Sequence, residues 1–243
     1  MKPDADVVKS LAPTGKLRAA INLGNPVLAL RTADGQLGGV SFALATELAK
    51  RLGVPLEPVV YDAAGKVFAG LDAGVWDVAF MAREPERAAM VAFTNPYVVI
   101  EGTYMVRDAS PFHSVAEFDK DGVRISVGKG AAYDLYLQRN LKHAVRVETP
   151  TSAAAIDTFK ADKTLDAAAG VRQALVTASP PGSGYRVIAD SYQKIEQAMG
   201  TPKDRIAGAA YLKAYVEAMK ATPFIRDALE KSGQDPAVAA PPG

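Results

Sequence analysis

Residues 40–62 read VSFALATELAKRLGVPLEPVVYD and change from one hydrophobic period to another. Apolar side chains recur every three or four positions from Phe42 to Leu52, which is the spacing of an amphipathic helix. Ser41 is a suitable N-cap for this helix, and Gly53 is a suitable C-terminal stop. The short apolar segment after Gly53 predicts a strand. A helix followed directly by a strand is the repeating unit of an α/β protein.

The same alternation continues on both sides of this stretch. Residues 16–23 (KLRAAINL) and 77–82 (DVAFMA) predict strands, and residues 63–76 (AAGKVFAGLDAGVW) predict a helix that ends near Gly74. This order predicts a parallel sheet with helices on its faces. Ligands of such sheets bind beyond the carboxyl ends of the strands. The segments that leave the strands there are NLGNP, YDAAGK and MAREPER.

A second strand and helix alternation occupies roughly residues 109–196. Strands are predicted within residues 123–130, 143–150, 165–170 and 185–191, and helices within residues 115–122, 131–141 and 151–162. Residues 204–222 and 223–233 predict two amphipathic helices at the tail.

Composition excludes several classes of protein. Among 243 residues, 28 Lys and Arg balance 27 Asp and Glu, so a surface that coats nucleic acid is not expected. There is no cysteine, which excludes disulfides, thiolate metal sites and cysteine nucleophiles, and two histidines make a histidine metal site improbable. We therefore predict no cofactor, no metal and no nucleic-acid partner.

The chain carries no predicted targeting or spanning segment. No apolar run approaches the roughly 20 residues needed to span a bilayer. Residues 1–17 (MKPDADVVKSLAPTGKL) lack the apolar region of a signal peptide. Two compartments stay open from the residues alone: the cytoplasm, or the periplasm for a mature form whose leader was removed and whose Met1 came from cloning.

Four segments together resemble a known family. GGVSFALATELAKRLG, LDAGVWDVAF, PERAAMVAFTNPY and VRISVGKGAAYDLYL are similar to the polar-amino-acid type of bacterial extracellular solute-binding proteins, family 3. These proteins deliver small solutes to ABC importers, and the resemblance extends from Lys16 to near Ser232. It implies a periplasmic, monomeric, non-enzymatic protein whose partners are a small carboxylate ligand and the membrane permease of an ABC importer.

The resemblance also implies the architecture. The expected fold is the two-lobe, type II periplasmic-binding-protein-like fold, in which each lobe is a sheet flanked by helices and the ligand cleft lies between the lobes. Lobe 1 would comprise residues 1–106 and 198–243, and lobe 2 residues 107–197. The hinge crossings would lie at residues 104–108 and 195–200, and the protein would close on its solute.

Arg87 is the first candidate for solute binding. The resemblance places it in PER, where family members carry the arginine that binds the α-carboxylate of the ligand. A planar guanidinium offers two parallel donors that match a carboxylate. The alternative is an exposed arginine in the first turn of a helix, paired with Glu84 or Asp77.

Three further candidates lie in the predicted lobe 1. Arg83 stands where small or apolar residues are usual in the family, and it either adds positive charge to the cleft or points to solvent beside Glu86. Ala82 stands where many members carry a hydroxyl for the ligand. Asn25 replaces an aromatic residue that often stacks on the ligand, and it either hydrogen-bonds the solute or serves as a turn residue before Pro26.

The predicted lobe 2 departs further from the family. Gly170 or Val171 occupies the position of an aspartate that receives the ammonium of an amino acid, which argues against an ordinary zwitterionic ligand because an unpartnered buried ammonium is costly. Arg172 is next, and it faces either the cleft or solvent. Glu101 binds a cation or a hydroxyl of the ligand, or it forms an ion pair at the hinge.

Residues 128–134 (GKGAAYD) place glycines before a helix. The amides of Ala131, Ala132 and Tyr133 could bind an anion there, and the Tyr133 hydroxyl or ring could contact it. A tight turn without a ligand is the alternative.

Two functions compete. The first is a non-catalytic solute-binding protein that closes on a small amino-acid-like or organic acid. The second is a dehydratase on the same scaffold that acts on small cyclic acids, with Glu101 or Glu84 as its general acid.

Overall fold

The computed structural model describes residues 2–243, so residue 1, which the predicted first lobe includes, lies outside the described residues. The chain forms two compact units. Unit 1 contains the described residues up to Val99 together with Glu196–Gly243, and unit 2 is Ile100–Ile195. Both divisions lie before the boundaries predicted at 106/107 and 197/198.

Unit 1 begins with a short helix that the sequence patterns did not indicate. Its helices and strands up to the first division are α1 (Ala5–Leu11), β1 (Leu17–Asn22), β2 (Leu30–Arg31), β3 (Leu37–Gly38), α2 (Val40–Leu52), β4 (Leu56–Tyr61), α3 (Ala64–Ala69), β5 (Val78–Ala82), α4 (Pro85–Ala88) and the start of β6 (Val91–Arg107).

Unit 2 follows along β6. Its further helices and strands are β7 (Arg124–Gly128), α5 (Ala132–Asn140), β8 (Val145–Thr149), α6 (Ser152–Ala161), β9 (Ala167–Val171), α7 (Arg172–Ala178), β10 (Tyr185–Val187) and the start of β11 (Gln193–Pro202). The chain then returns to unit 1 along β11 and ends with α8 (Ile206–Lys220) and α9 (Phe224–Lys231).

Each unit contains a sheet with a parallel core. In unit 1, β1 is parallel to β4 on one side and to β5 on the other, and β11 is antiparallel to β5. In unit 2, β7 is parallel to β8 and β9, whereas β6 is antiparallel to both β9 and β10. The predicted α/β class is therefore confirmed, and the carboxyl ends of the parallel strands share one edge of each sheet.

Both sheets bury apolar side chains against their helices. The unit 1 cluster includes Trp76, whose indole N–H donates to the carbonyl of Val67 over 2.9 Å, and Tyr61 packs against this cluster. The unit 2 cluster joins Met105 of β6 with Phe159 of α6 and Leu175 of α7. Burying each such side chain contributes roughly 1.5–3 kcal/mol.

Three local predictions were wrong. Helix α2 begins after Gly39, not Ser41, because Gly39 has φ 97° and a β-carbon there would lie 2.5 Å from the Leu28 carbonyl oxygen. Helix α3 ends at Ala69, well before the expected Gly74. The helix expected within residues 115–122 is a single 3₁₀ turn, Val115–Glu117.

Among residues 2–243, none of the helices combines the length and the apolar character that crossing a membrane requires.

Candidate functional site

Arg87 lies in α4, directly after the carboxyl end of β5. Pro85 occupies the first turn of α4, where a backbone N–H would have no acceptor within the helix, so its absence costs no hydrogen bond. Only 1% of Arg87 is exposed, so the predicted alternative of an exposed arginine is wrong. Its Nη1 donates to the carbonyl oxygen of Ala82 over 3.1 Å. The structure thus holds a guanidinium away from water at the edge where the parallel strands end.

Burial also changes the acidity of this guanidinium. Removal from water lowers the pKa of Arg87 to about 10, while the nearby carboxylates of Glu84 and Glu86 act in the opposite direction. Arg87 therefore keeps its positive charge at neutral pH. Burial of this charge costs free energy. Glu84 is itself only 3% exposed, so this corner of unit 1 concentrates opposite charges.

Arg83 behaves differently, although it is close in sequence. Its side chain is 42% exposed and lies 3.5 Å from the Glu196 carboxylate, a residue other than the Glu86 that the solvent-facing alternative named. Its backbone N–H donates to the carbonyl of Glu196 over 2.9 Å, which continues the pairing of β5 with β11. A role of Arg83 in binding a second anionic group stays a prediction.

Asn25 forms part of the turn that follows β1. Its Oδ1 accepts from the N–H of Val27 over 3.2 Å, and its carbonyl oxygen accepts from Leu28 over 3.0 Å. These contacts are those of a turn residue, and Asn25 is only 9% exposed. Direct hydrogen bonding of the Asn25 amide to a solute stays a prediction, as does contact between Ala82 and a solute.

In unit 2, the glycine turn after β7 leads into α5 as expected. The N–H of Ala131 donates to the carbonyl of Gly128 over 3.1 Å, so this amide is used within the turn. Ala132 and Tyr133 are the first two residues of α5, where helix geometry gives backbone N–H groups no acceptor within the helix. The predicted anion-binding set is therefore reduced to Ala132 and Tyr133, and their role stays a prediction.

The Tyr133 side chain has a structural task in this turn. Its hydroxyl accepts from the N–H of Gly128 over 3.1 Å and donates to Ser152 Oγ over 2.8 Å. Burial raises the pKa of Tyr133 to about 12. The hydroxyl thus joins the carboxyl end of β7 to the start of α6.

Sequence reasoning missed Asp134, which fixes the same turn. Its Oδ2 accepts from the N–H of Gly130 over 2.8 Å, and its other oxygen pairs with Arg146. Burial raises the pKa of Asp134, against the effect of these bonds. An acidic residue in the first turn of a helix that follows glycines was the available signal.

Arg172 and Glu101, which the sequence suggested as separate candidates, contact each other. Arg172 Nε donates to Glu101 Oε2 over 2.7 Å, and the rest of the guanidinium donates to backbone carbonyls of unit 2. The Arg172 side chain is 24% exposed, so it is partly solvated as well as bonded. A direct contact of Arg172 or Glu101 with a solute stays a prediction.

The described side chains offer no obvious place for a metal ion. Among residues 2–243, histidine, aspartate and glutamate side chains do not gather in groups of three or more that could hold one. Unit 1 offers a buried cation, and unit 2 offers backbone N–H donors at the start of α5. Each of these groups, taken by itself, is suited to binding an anion.

Comparison with protein families gives a match over most of the chain. A family model described as bacterial extracellular solute-binding proteins, family 3, matches residues 17–233. The L-cystine-binding protein TcyJ of Escherichia coli K12 is 26% identical over 143 residues, which are 57% of this chain and 53% of TcyJ. The chain spans about half the length of the curated relatives that it matches.

Solved structures show the same fold at lower identity. The cysteine-binding protein of Campylobacter jejuni is 19% identical, with a TM-score of 0.80, and the match covers 93% of this chain and 92% of that one. The ancestral amino acid-binding protein AncCDT-1, a precursor of cyclohexadienyl dehydratase, is 21% identical, with a TM-score of 0.77 over 92% and 98% of the two chains. The predicted type II periplasmic-binding-protein fold is confirmed by these matches.

Proposed function

Because this chain belongs to the bacterial extracellular solute-binding proteins, family 3, we propose that it is a non-catalytic periplasmic receptor for a small carboxylate-bearing solute. The solute is amino-acid-like or an organic acid. The receptor acts as a monomer and delivers its solute to the membrane permease of an ABC importer.

The observation that carries this proposal is the buried guanidinium of Arg87. Burying an arginine costs free energy, and proteins keep such a group where its charge serves binding or a network. Arg87 lies after the carboxyl end of β5, which is the edge of a parallel sheet where ligands bind. The planar guanidinium can donate two parallel N–H bonds to a carboxylate.

Closure on the solute is part of the proposal. The two units are connected by β6 and β11, and both strands run past the positions at which the units divide. A solute drives closure only through contacts that it makes better in the closed state. We assign the Arg87 guanidinium to one side of the solute and the first amides of α5, at Ala132 and Tyr133, to the other.

The class of solute follows from relatives and residues together. TcyJ is an L-cystine-binding protein, and the Campylobacter jejuni protein binds cysteine, which favours an amino-acid-like solute. The matching position is Gly170 or Val171, however, and neither residue can neutralise an ammonium group. Organic acids without an amino group therefore belong in the search beside the amino acids.

The dehydratase alternative lacks support from the described site. Its two candidate acids were Glu101 and Glu84. Glu101 Oε2 is bonded to Arg172, and Glu84 is buried beside Arg87. A general acid must instead reach the leaving group of the substrate. Incubation with prephenate or arogenate, with no aromatic product formed, is the result that we expect.

A thermal-shift screen tests the proposal. Amino acids, including cystine and cysteine, are compared with the corresponding 2-hydroxy, 2-oxo and unsubstituted acids. At least one solute should raise the melting temperature, since a ligand that binds only the folded state stabilises it. The increase should vanish in Arg87→Ala and persist in the control Arg226→Ala, which removes an exposed arginine of α9. A screen without any stabilising solute, or an undiminished increase in Arg87→Ala, would contradict the proposal.

A further inference from the structure

The side-chain hydroxyl of Tyr192 is buried and has no hydrogen-bond partner among residues 2–243. Tyr192 as a whole residue is partly exposed, whereas its hydroxyl oxygen is buried. A buried hydroxyl without a partner is costly, and such groups in folded proteins usually have a specific reason. The proposed solute is a candidate partner because of where this oxygen lies.

The ring of Tyr192 covers Gly102 of β6. The Tyr192 N–H donates to the Gly102 carbonyl over 3.0 Å. A β-carbon on Gly102 would lie 2.8 Å from Tyr192 Cε2 and 3.3 Å from its hydroxyl oxygen. Only a glycine at position 102 lets the ring lie this close to the strand.

This position is at the carboxyl end of β9. Gly102 is directly opposite Val171, the last residue of β9, and residues directly opposite in an antiparallel pair share one face of the sheet. The Tyr192 hydroxyl therefore lies on the same face of the sheet as the Val171 side chain. The same edge carries the end of β7 and the turn into α5, so it is where an α/β sheet binds ligands.

The surroundings favour an uncharged partner. The Tyr192 ring stacks with Tyr136 at a centroid distance of 5.6 Å and contacts Tyr104 at 4.7 Å. Burial raises the pKa of Tyr192, and the Asp134 carboxylate raises it further, so the phenol is neutral. A neutral phenol cannot compensate the charge of an ammonium, whereas it can donate to or accept from a neutral oxygen.

We propose that Tyr192 is a specificity-determining residue whose hydroxyl hydrogen-bonds a neutral oxygen of the solute, either a hydroxyl or a carbonyl. This inference rests on the proposed function, since it takes the carboxylate of the same solute to be bound by Arg87. The solute is then a hydroxy or oxo acid, and Tyr192 distinguishes it from the unsubstituted acid.

Tyr192→Phe is the direct test, because it removes one oxygen and keeps the ring over Gly102. The probes are unsubstituted, 2-hydroxy, 3-hydroxy, 2-oxo and 2-amino acids of about three to six carbons. The wild type should bind a hydroxy or oxo acid about three- to tenfold more tightly than its unsubstituted analogue. Tyr192→Phe should lose this preference, retain the unsubstituted acid, and melt without ligand at the same or a higher temperature.

Two other variants complete the design. Tyr215→Phe is the matched control, because the Tyr215 hydroxyl donates to the Leu44 carbonyl over 2.8 Å in unit 1. It should melt at a lower temperature and keep the preference. Gly102→Ala displaces the ring through its β-carbon, and it should lose the preference as Tyr192→Phe does.

The outcomes separate this inference from the proposed function. A preference that persists in Tyr192→Phe overturns the role of Tyr192, and a simultaneous fall in its melting temperature would mean that an internal water satisfies the hydroxyl. A wild type that binds acids without any preference, or prefers 2-amino acids, also overturns it while the receptor function stands. No binding of any probe contradicts both.

Discussion

Arg172 Nε donates to Glu101 Oε2 over 2.7 Å, so the first residue of α7 is bonded to a residue of β6. The two Nη atoms donate to three consecutive carbonyls, those of Ile188, Ala189 and Asp190, over 3.0–3.1 Å. Every nitrogen of this guanidinium therefore has an acceptor, and the chain between β10 and β11 is attached to the sheet of unit 2.

Replacing Arg172 by methionine should destabilise the protein. The variant keeps an apolar stem but leaves Glu101 and three carbonyls without their donor, which should lower the free energy of unfolding by about 1–3 kcal/mol. The free energy of unfolding of Arg172→Lys should lie between those of Arg172→Met and the wild type, since an ammonium cannot reproduce the planar set of donors. Urea unfolding measures both. The control Arg83→Met removes an exposed side chain, so a loss in Arg172→Met no larger than in this control would contradict the prediction.

The Tyr133 hydroxyl provides a second test. Tyr133→Phe leaves the Gly128 N–H and Ser152 Oγ without their shared partner, and we expect a loss of about 1–2 kcal/mol. Ser152→Ala should cost less, because Gly128 keeps its acceptor. The double variant should lose less than the sum of the two single variants, since both remove the same bond. Additive losses in denaturant unfolding would show that the two hydroxyls are not coupled.

Asp77 is the most buried acid in an ion pair of unit 1. It is 0% exposed and binds Arg18 and Arg205, each at 2.7 Å. Asp77→Asn should lower the free energy of unfolding by about 3–5 kcal/mol, because it leaves two guanidinium groups without their counter-charge.

The exposed pair of Lys16 and Glu57 is the matched control for Asp77. Both of its side chains are about half exposed, so Lys16→Gln should change stability by less than about 1 kcal/mol. The loss in Asp77→Asn should also persist at high salt, since buried pairs are little screened. Similar effects of the two substitutions would refute the importance of the buried pair.

The hydrogen bonds of Asp119 should make the stability of the protein depend on pH. Its carboxylate accepts backbone N–H bonds from His143, Ala144 and Lys142, and these bonds lower the pKa of Asp119 from its ordinary value. A lowered pKa in the folded state stabilises the protein above the ordinary value, and this stabilisation is lost as the pH falls through the folded value. Melting temperatures between about pH 3 and pH 6 should therefore fall more steeply on the acid side in the wild type than in Asp119→Asn. Equal slopes would argue against these bonds.

Local patterns in the sequence predicted much of the fold. Helix α2 and strands β1, β4 and β5 could be predicted because each depends on the local spacing of apolar residues. The errors arose where a contact distant in sequence, or a glycine, determines whether a helix forms or where it begins. The start of α2 depends on Gly39 lying close to the Leu28 carbonyl, and α1 is a short helix whose neighbour α8 follows about 200 positions later.

The candidate site was less predictable, for the same reason. The buried state of Arg87 and the bond between Arg172 and Glu101 depend on residues brought together by the sheet, and Arg172 lies 71 positions from Glu101. Tyr192 escaped attention because its neighbour Gly102 precedes it by about 90 positions in the sequence. No sequence motif indicates such a pair. The pairing of β6 with β9 is what places Gly102, and the ring that covers it, at the end of β9.

The most direct test of the account is a calorimetric titration with the solute that stabilises the wild type most. Arg87→Lys keeps the positive charge but loses the two-donor geometry, so its dissociation constant should rise at least about tenfold. The control Arg226→Lys, at an exposed position of α9, should bind like the wild type. Equal dissociation constants for Arg87→Lys and the wild type would contradict a carboxylate held by the Arg87 guanidinium.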